Sequence, residues 1–279
     1  MSYPSKEPNF GRIFNKFHFK TVLWVIAFSI FILIIILYSI ALGYPHQILS
    51  GFIITMWLYG LALLMGFIVG LFFAILRQYG GWFISRFATG YIEIIRGTPL
   101  LAQILLFFFL PFSIMALLGL SFTPTWSFYI TIKIFNQNII IVLLNYRTLI
   151  GILTLGINSS AYQAEYFRGA IMSVGSGQLM AAQSLGMSRL AGIRHVVLPQ
   201  ALRRVIPAWS NEAAYLPKYT VIVYFIGVSE LFAKAHYIVS KNFLTLATYI
   251  LVALIFLVMI TIISRILDFV HKKTGIPGL

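Results

Sequence analysis

An all-α fold that crosses a membrane six times is predicted by three observations. Apolar residues make up 60% of the 279 residues and charged residues only 9%, whereas a soluble domain has about a quarter charged residues and under half apolar ones. Several uncharged runs reach the roughly 20 residues that span hydrocarbon as a helix. Lys and Arg are concentrated in alternate connecting segments. A soluble globule of this size could not bury so much apolar surface, so the main solvent of the chain is a bilayer.

The apolar runs define the spans in order. The first, residues 21–44, carries no charge and is longer than the core of a secretory signal; we expect a retained span, with a signal anchor as the alternative. The second, residues 51–76, contains Gly66 and Gly70, a pair whose spacing favours close helix packing. The six predicted spans are residues 21–44, 51–76, 99–120, 148–172, 205–227 and 245–267.

The segments between the spans are more polar. Residues 77–97 are predicted as a basic interfacial stretch and residues 228–244 as a loop. Residues 121–147 are mixed, and within them we expect a half-buried helix over residues 128–144. Two prolines interrupt the fifth span, and an interrupted helix in lipid exposes carbonyl groups that a cavity or a neighbour must satisfy.

The basic residues predict the orientation. Six spans place both termini on one side, and fifteen of the 20 Lys and Arg residues fall on that side. The remaining five are Lys133, Arg147, Lys218, Lys234 and Lys241. Basic loops face the cytoplasm, so we expect a multi-pass protein of the cell membrane with both termini cytoplasmic. This distribution also accounts for the net charge of +14 without a nucleic-acid partner.

No catalytic or metal site is expected. The chain has no cysteine and no clustered histidines. It also lacks the Gly-x-x-x-x-Gly-Lys-Ser/Thr loop that cradles nucleotide phosphates. We therefore predict that this chain binds no cofactor and is not itself an enzyme.

One basic, glycine-punctuated segment, "MAAQSLGMSRLAGIRHVVLPQALRR" at residues 180–204, differs from its surroundings. It resembles the signature loop of the inner-membrane permeases of ATP-binding cassette importers: Glu-Ala-Ala, three residues, Gly, nine residues, Ile, one residue, Leu-Pro. The spacing is kept throughout, at positions Ala181, Ala182, Gly186, Val196, Leu198 and Pro199. Met180 stands in place of the signature Glu, and Val196 in place of the Ile.

Further segments are similar to the polar amino acid branch of those permeases, the histidine, glutamine and arginine type. They are "RGTPLLAQ" (96–103), "NSSAYQAEYFRGAI" (158–171), "LPQALRRVIPAWSNEAAYLPK" (198–218) and "IGVSEL" (226–231). The resemblance covers about residues 51–270. The first span and residues 121–147 fall outside it.

The resemblance implies a type I permease fold of ATP-binding cassette importers. It divides the chain into an N-terminal cytoplasmic segment with an extra span (1–50), a permease core (51–270) with a coupling loop at about 173–204, and a cytoplasmic tail (271–279). The implied function is ATP-driven uptake of polar amino acids. The implied partners are cytoplasmic ATPase subunits that hold ATP and Mg, a second permease subunit, an extracytoplasmic substrate-binding protein and the lipid bilayer.

The coupling loop is expected to dock the ATPase. Ala181, Ala182 and Leu185 would offer a compact knob, and Gly186 would allow a sharp turn after the helix. The expected docking residues are Met180, Ala181, Ala182, Leu185, Gly186, Arg189, Arg194, Leu198 and Pro199. The two arginines would steer the loop toward an acidic rim, and the proline would serve the first turn of the next helix. The alternative is an ordinary basic loop at the lipid surface.

Ionisable groups inside the spans indicate internal pairs or a pathway. Glu165 and Arg168 lie three apart on a helix and are predicted to pair, and Glu93 and Arg96 are predicted to do the same.

A polar pocket for a zwitterion is predicted on the fourth and fifth spans. A carboxylate and an ammonium, Glu212 and Lys218, would complement the two charges of an amino acid. The predicted pathway residues are Asn158, Ser159, Tyr162, Gln163, Asn211, Glu212 and Lys218. The alternative is that Glu212 and Lys218 only brace helices against each other.

Two departures from the family pattern, Met180 and Tyr219 in place of acidic residues, raise the possibility of a heterodimer whose other subunit keeps them. Three rival functions stay open. They are a permease for another solute such as an opine, a dipeptide or a metal chelate, a secondary transporter or channel driven by an ion gradient, and a scaffold that transports nothing.

Overall fold

The computed structural model of the protein describes residues 43–134 and 137–274, together with Ile35 and Tyr38. By their internal contacts the residues form two units, Met1–Pro45 and His46–Leu279, and the architecture below is that of the second. Nearly all of the first predicted span, residues 21–44, lies outside the described residues, as does the end of the C-terminal tail.

Helices dominate the described chain. They are α1 (Pro45–Tyr79), α2 (Trp82–Gly97), α3 (Leu100–Leu117), α4 (Tyr146–Val174), α5 (Ser176–Ser184), α6 (Arg189–Gly192), α7 (Leu198–Tyr219), α8 (Leu231–Asn242) and α9 (Thr245–Thr274). A π-helical turn, Ile193–Val197, joins α6 to α7, and a 3₁₀ segment, Thr220–Ile226, follows α7. Two strands, β1 (Ser127–Ile134) and β2 (Gln137–Asn145), lie between α3 and α4.

Within the described ranges, three helices are long and apolar enough to cross a membrane, namely α1, α3 and α9. They contain or closely match the second, third and sixth predicted spans. A fourth candidate is a bent pair, Arg189–Ile226 with Leu231–Asn242, whose two parts meet at 55°. Helix α4 has 29 residues and so is about 44 Å long at 1.5 Å per residue. It is long enough to span, and its lower hydropathy comes from polar side chains that face the protein interior.

Helix α1 approaches α4 closely at the predicted glycine pair. A Cβ built on Gly66 would lie 3.1 Å from Ser159 Oγ, and one on Gly70 would lie 2.8 Å from the Ser160 carbonyl oxygen. Both glycines are buried. The expectation of close packing at these positions is therefore confirmed, because the backbones can meet only where α1 has no side chain.

The helix expected over residues 128–144 is wrong, because this segment forms an antiparallel hairpin of β1 and β2. In β1 the isoleucines alternate with polar residues, the period-2 pattern of a strand with one buried face, whereas β2 is a continuous apolar run. Ile139 and Ile141 are buried on β2 and pair with Ile132 and Ile130 of β1. This face packs on the cluster formed by α1, α4 and the 3₁₀ segment, so the hairpin covers the end of the bundle at which α4 begins.

The prediction that two prolines interrupt the fifth span is also wrong, because the helix does not break at either proline. Helix α7 continues through Pro207 and Pro217 to Tyr219. It then tightens into the 3₁₀ segment, where the Thr220 hydroxyl donates to the Pro217 carbonyl at 2.7 Å. The chain turns only at Gly227, whose φ is +79°. Pro199 does occupy the first turn of α7, as predicted.

Replacing Gly70 by alanine is predicted to destabilise the bundle by on the order of 1–3 kcal/mol, the usual range for forcing extra atoms into a packed interface. The added methyl would meet the backbone of α4, which cannot rotate away. Thermal unfolding in detergent measures the loss. Gly60→Ala on the same helix is the control, since nothing lies within 4 Å of a Cβ there. Equal melting temperatures for the two variants would contradict the close α1–α4 contact.

Candidate translocation pathway and coupling surface

A buried hydrogen-bond chain links the middle of α4 to α7. The Ser159 hydroxyl donates to Glu212 Oε1 at 2.7 Å, and the Gln163 amide donates to Ser159 Oγ at 2.9 Å. Trp209 Nε1 donates to Gln163 Oε1 at 2.7 Å. Ser159 and Gln163 are fully buried and Glu212 is 5% exposed. These four polar side chains therefore have hydrogen-bond partners inside an apolar bundle, as burial of a polar group requires.

The two charges predicted to face each other are separated. Lys218 is exposed, and its Nζ lies 4.5 Å from the centre of the Tyr215 ring. Asn211 is also exposed. The idea that Glu212 braces against Lys218 is therefore wrong, since the brace of Glu212 is the Ser159 hydroxyl. Periodicity alone did not show which face of α7 meets α4.

A second polar contact holds the loop between α2 and α3. The Gln103 amide donates to the Ile95 carbonyl at 2.7 Å and to Thr98 Oγ1 at 2.7 Å. Its oxygen accepts from Asn158 Nδ2 at 3.0 Å. The side chain of Gln103 thus satisfies a carbonyl at the end of α2 and ties that end to α4.

A cleft of about 330 Å³ opens beside this loop. Asn158 and Tyr162, both predicted pathway residues, lie on its wall. Its other lining residues are Arg96, Gly97, Thr98, Pro99, Leu100, Tyr219 and Ile222. The Arg96 guanidinium carbon lies 5.3 Å from the centre of the Tyr162 ring. The cleft therefore offers one cation, hydroxyl groups and an amide, the groups that bind a small polar solute.

Three arginines share one carboxylate at the far end of α4. Glu165 pairs with Arg168 at 2.9 Å, as predicted, and also with Arg77 of α1. Arg96 of α2 lies 3.7 Å from the same carboxylate. The predicted pairing of Arg96 with Glu93 is wrong, because Glu93 points outward and is exposed. Sequence spacing shows neighbours on one helix, whereas this cluster joins three helices.

Glu165→Gln is predicted to destabilise the protein by on the order of 1.5–3 kcal/mol, the range for hydrogen bonds to charged groups, because three guanidiniums would lose their common counterion. Loss of thermal stability in detergent is the measurement. Glu93→Gln removes the same charge from an exposed site and should change stability by less than about 0.5 kcal/mol. If both variants melt alike, Glu165 does not hold the three helices together.

The segment predicted to couple to an ATPase begins with α5 and a tight turn. Gly186 has φ +86°, and its N–H donates to the Gln183 carbonyl at 2.9 Å. The Met187 N–H donates to the Ala182 carbonyl at 3.1 Å. This pair of hydrogen bonds with glycine in the left-handed region is a Schellman ending. The expected sharp turn at Gly186 is confirmed.

The turn presents large apolar side chains outward. Met180, Leu185 and Leu190 are 58%, 85% and 75% exposed. Ala181, Arg189, Arg194 and Pro199 are also exposed, and Leu198 is half-buried. A group of exposed apolar side chains beside arginines is typical of a surface that a partner covers.

Ala182 does not belong to that outward surface, and its expected place in the knob is wrong. It is 4% exposed because α5 packs back on Gly192. A Cβ built on Gly192 would lie 2.8 Å from Leu179 Cδ1 and 3.4 Å from the Ala182 Cβ. The inner face of α5 is thereby seated on the chain that leads into α7.

Several site residues were not predicted from the sequence. Trp209 anchors Gln163, and Arg96 and Tyr219 line the cleft. The sequence did contain one indication for Gln103, because a polar amide inside an apolar span needs a buried hydrogen-bond partner. Within the described ranges no group of three His, Asp or Glu side chains comes together to hold a metal ion.

These features define a helical membrane protein with a buried polar path between its helices and an exposed apolar turn at one end. The chain belongs to the family of binding-protein-dependent transport system inner membrane components, which matches residues 66–276.

Two curated relatives and one solved structure show the extent of the similarity. The glutamine transport system permease protein GlnP of Escherichia coli is 33% identical over 230 residues, covering 82% of this chain and 93% of the relative. The nopaline transport system permease protein NocM of Agrobacterium fabrum is 30% identical over 220 residues, covering 79% and 84%. A crystal structure of an amino acid ABC transporter with histidines contains a chain that aligns with a TM-score of 0.67 and 32% identity, covering 85% of this chain and 98% of that one.

Proposed function

We propose that this protein is the permease subunit of an ATP-driven importer of amino acids. The observation that carries the proposal is the exposed apolar turn of Met180, Leu185 and Leu190, which lies at the end of α4 in a chain of the binding-protein-dependent family. The names of the glutamine permease and the amino acid transporter support the choice of substrate.

The partners follow from the proposed role. Cytoplasmic ATPase subunits, which hold ATP and Mg, dock on residues 180–199. A second permease subunit, either a copy or a related chain, completes the pathway, and an extracytoplasmic binding protein delivers the substrate. The excess of Lys and Arg on one side supports cytoplasmic termini.

The substrate path follows α4. Arg96 is 43% exposed and lies 3.7 Å from Glu165, beyond hydrogen-bond distance, so its N–H groups are left for the α-carboxylate of the substrate. The hydroxyls of Tyr162 and Tyr219 accept from an ammonium. Glu212 accepts a hydrogen bond from Ser159, the residue next to Asn158 of the cleft. It supplies the negative charge of the proposed substrate path. Among the predicted residues, Asn158, Ser159, Tyr162, Gln163 and Glu212 keep their proposed role, while Asn211 and Lys218 are exposed away from this group.

The coupling turn is mechanically tied to α7. Leu179 and Ala182 rest on Gly192, and the Arg204 guanidinium donates to the Ser173 carbonyl. When the ATPases close and displace α5, α7 moves with it and carries Glu212 along. Movement of packed helices past one another is a common route to alternating access.

A second candidate substrate is an opine, an amino acid conjugate. The similarity to a nopaline permease favours it. Competition of unlabelled nopaline against labelled glutamine uptake separates the two candidates.

Leu185→Glu is predicted to abolish ATP-dependent uptake in vesicles that contain the permease, its ATPase and its binding protein. A charge in the centre of an apolar contact remains unpaired and desolvated, which costs several kcal/mol. Co-purification with the ATPase and the rate of uptake are the measurements. Gln178→Glu is the control, because it adds the same charge to the same helix at an exposed position. Normal co-purification and normal uptake by the Leu185 variant would refute the docking assignment.

Glu212→Gln is predicted to lower uptake at least about tenfold, or roughly 1.4 kcal/mol, while thermal stability stays close to that of the wild type. The amide oxygen still accepts from Ser159, so the helix contact survives and only the charge is lost. Ser159→Ala is the complementary variant, which removes the brace and keeps the charge. It should lower stability more than uptake. The reverse pattern would assign Glu212 a structural role alone.

A further inference from the structure

A second cleft lies at the opposite end of α4 from the coupling turn. It has a volume of about 190 Å³ and is formed where the hairpin, the first turn of α4 and the segment after Gly227 meet. Its polar lining residues are Asn145, Arg147, Thr148, Ser229 and Lys234. The length of α4 places this cleft about 44 Å from α5, at the end where substrate arrives in an importer.

The cleft contains two cations without a counterion. In the part of the chain that the structure describes, neither Arg147 nor Lys234 lies within 4.0 Å of a carboxylate oxygen. The acidic residue nearest to Lys234 along the chain is Glu230, which is fully buried and already accepts hydrogen bonds from the backbone. Its carboxylate accepts from the N–H groups of Phe232 at 2.7 Å and Ala233 at 2.8 Å.

Both cationic side chains are seated on glycines. A Cβ built on Gly227 would lie 3.1 Å from Arg147 Nη1 and 3.4 Å from its Cζ. A Cβ built on Gly51 would lie 2.9 Å from Lys234 Cγ. The Arg147 guanidinium and the stem of Lys234 therefore each rest where the opposing backbone has no side chain.

The helix ends beside the cleft also bear on its positive potential. Helix α4 begins at Tyr146 and α8 at Leu231, so the N-termini of both helices lie next to the cleft. A helix N-terminus has the equivalent of about half a positive charge. The N-terminus of α8 is already capped by the Glu230 carboxylate, whereas α4 is capped by the neutral side chain of Asn145. Two cations and the N-terminus of α4 thus favour an anion here.

We propose that this cleft is a vestibule subsite that binds the α-carboxylate of the amino acid before it enters the path along α4. The volume is below the roughly 300–1,000 Å³ of a pocket that encloses a whole drug-sized ligand, so the cleft takes the charged end of the solute. An α-carboxylate is common to all amino acids, and the subsite therefore contributes to capture without selecting a side chain. The inference rests on the proposed function of the protein.

The test uses the complete transporter in proteoliposomes, with its ATPase and binding protein, and L-glutamine as the probe. The double variant Arg147→Gln, Lys234→Met should lower the initial uptake rate 10- to 100-fold. The affinity of the binding protein for the transporter, measured separately, should stay within about twofold. Lys241→Met is the matched control, because Lys241 is an exposed lysine of the same helix α8, and it should import at the wild-type rate. The charge-conserving pair Arg147→Lys, Lys234→Arg should retain most of the uptake.

Three results would overturn the subsite. The first is wild-type uptake by the double variant. The second is a parallel loss of binding-protein affinity, which would assign the two cations to protein docking. The third is loss of uptake in the charge-conserving pair as well, which would make the side chains structural. If the double variant does not assemble, Arg147→Gln alone gives the same comparison at an exposed residue. A wild-type transporter that imports no amino acid, labelled glutamine included, would refute the proposed function itself and the subsite with it.

Discussion

The structure depends on how one polar helix is satisfied inside an apolar bundle. Helix α4 has buried polar side chains over about three consecutive turns, from Thr154 to Gln163, and lipid offers no water to bind them. Each neighbouring helix supplies a different solution. Helix α1 contributes glycines that let its backbone approach, α3 contributes the Gln103 amide, and α7 contributes Glu212 and Trp209. The arrangement of the helices around α4 follows from these contacts, because apolar side chains alone would pack nearly as well against lipid.

The same helix connects the two ends of the molecule. At its start, a capping box between Asn145 and Thr148 fixes the junction with the hairpin. In its last third, about 14 Å before α4 ends at Val174, the carboxylate of Glu165 gathers arginines from α1, α2 and α4. In the coupling that we propose, a displacement of α5 would act on a helix whose middle is hydrogen-bonded to α7. Such coupling needs a contiguous packed element between the two sites, and α4 with its polar partners would be that element.

Local features of the sequence predicted local features of the structure well. Within the described residues, the uncharged runs form long helices, Gly66 and Gly70 mark the α1–α4 contact, Gly186 forms the turn, and Glu165 pairs with Arg168. The two wrong pairings share one cause, which is that the partner lay on another element. Spacing placed Glu93 beside Arg96, but Arg96 turned toward the carboxylate of α4. The hairpin has a period-2 signal only in β1, since the apolar run of β2 fits a buried helix as well as a strand. The alternative in which Glu212 braces Lys218 of the same helix failed for the same reason, since the hydroxyl that binds Glu212 is 53 positions away.

The replacement of an acidic residue by Met180 acquires a physical meaning from the shape of the coupling turn. Met180 lies on the same exposed surface as Leu185 and Leu190, so the substitution extends an apolar surface and removes the one carboxylate that the signature would place among these arginines. In the docking that we propose, no carboxylate of this turn would compete with an acidic partner for Arg189 and Arg194. Methionine is also flexible enough to adapt to an irregular groove. A docking surface of this composition depends on apolar burial for its affinity and on its arginines for orientation and association rate, which is a different balance from that of a turn carrying the signature acid.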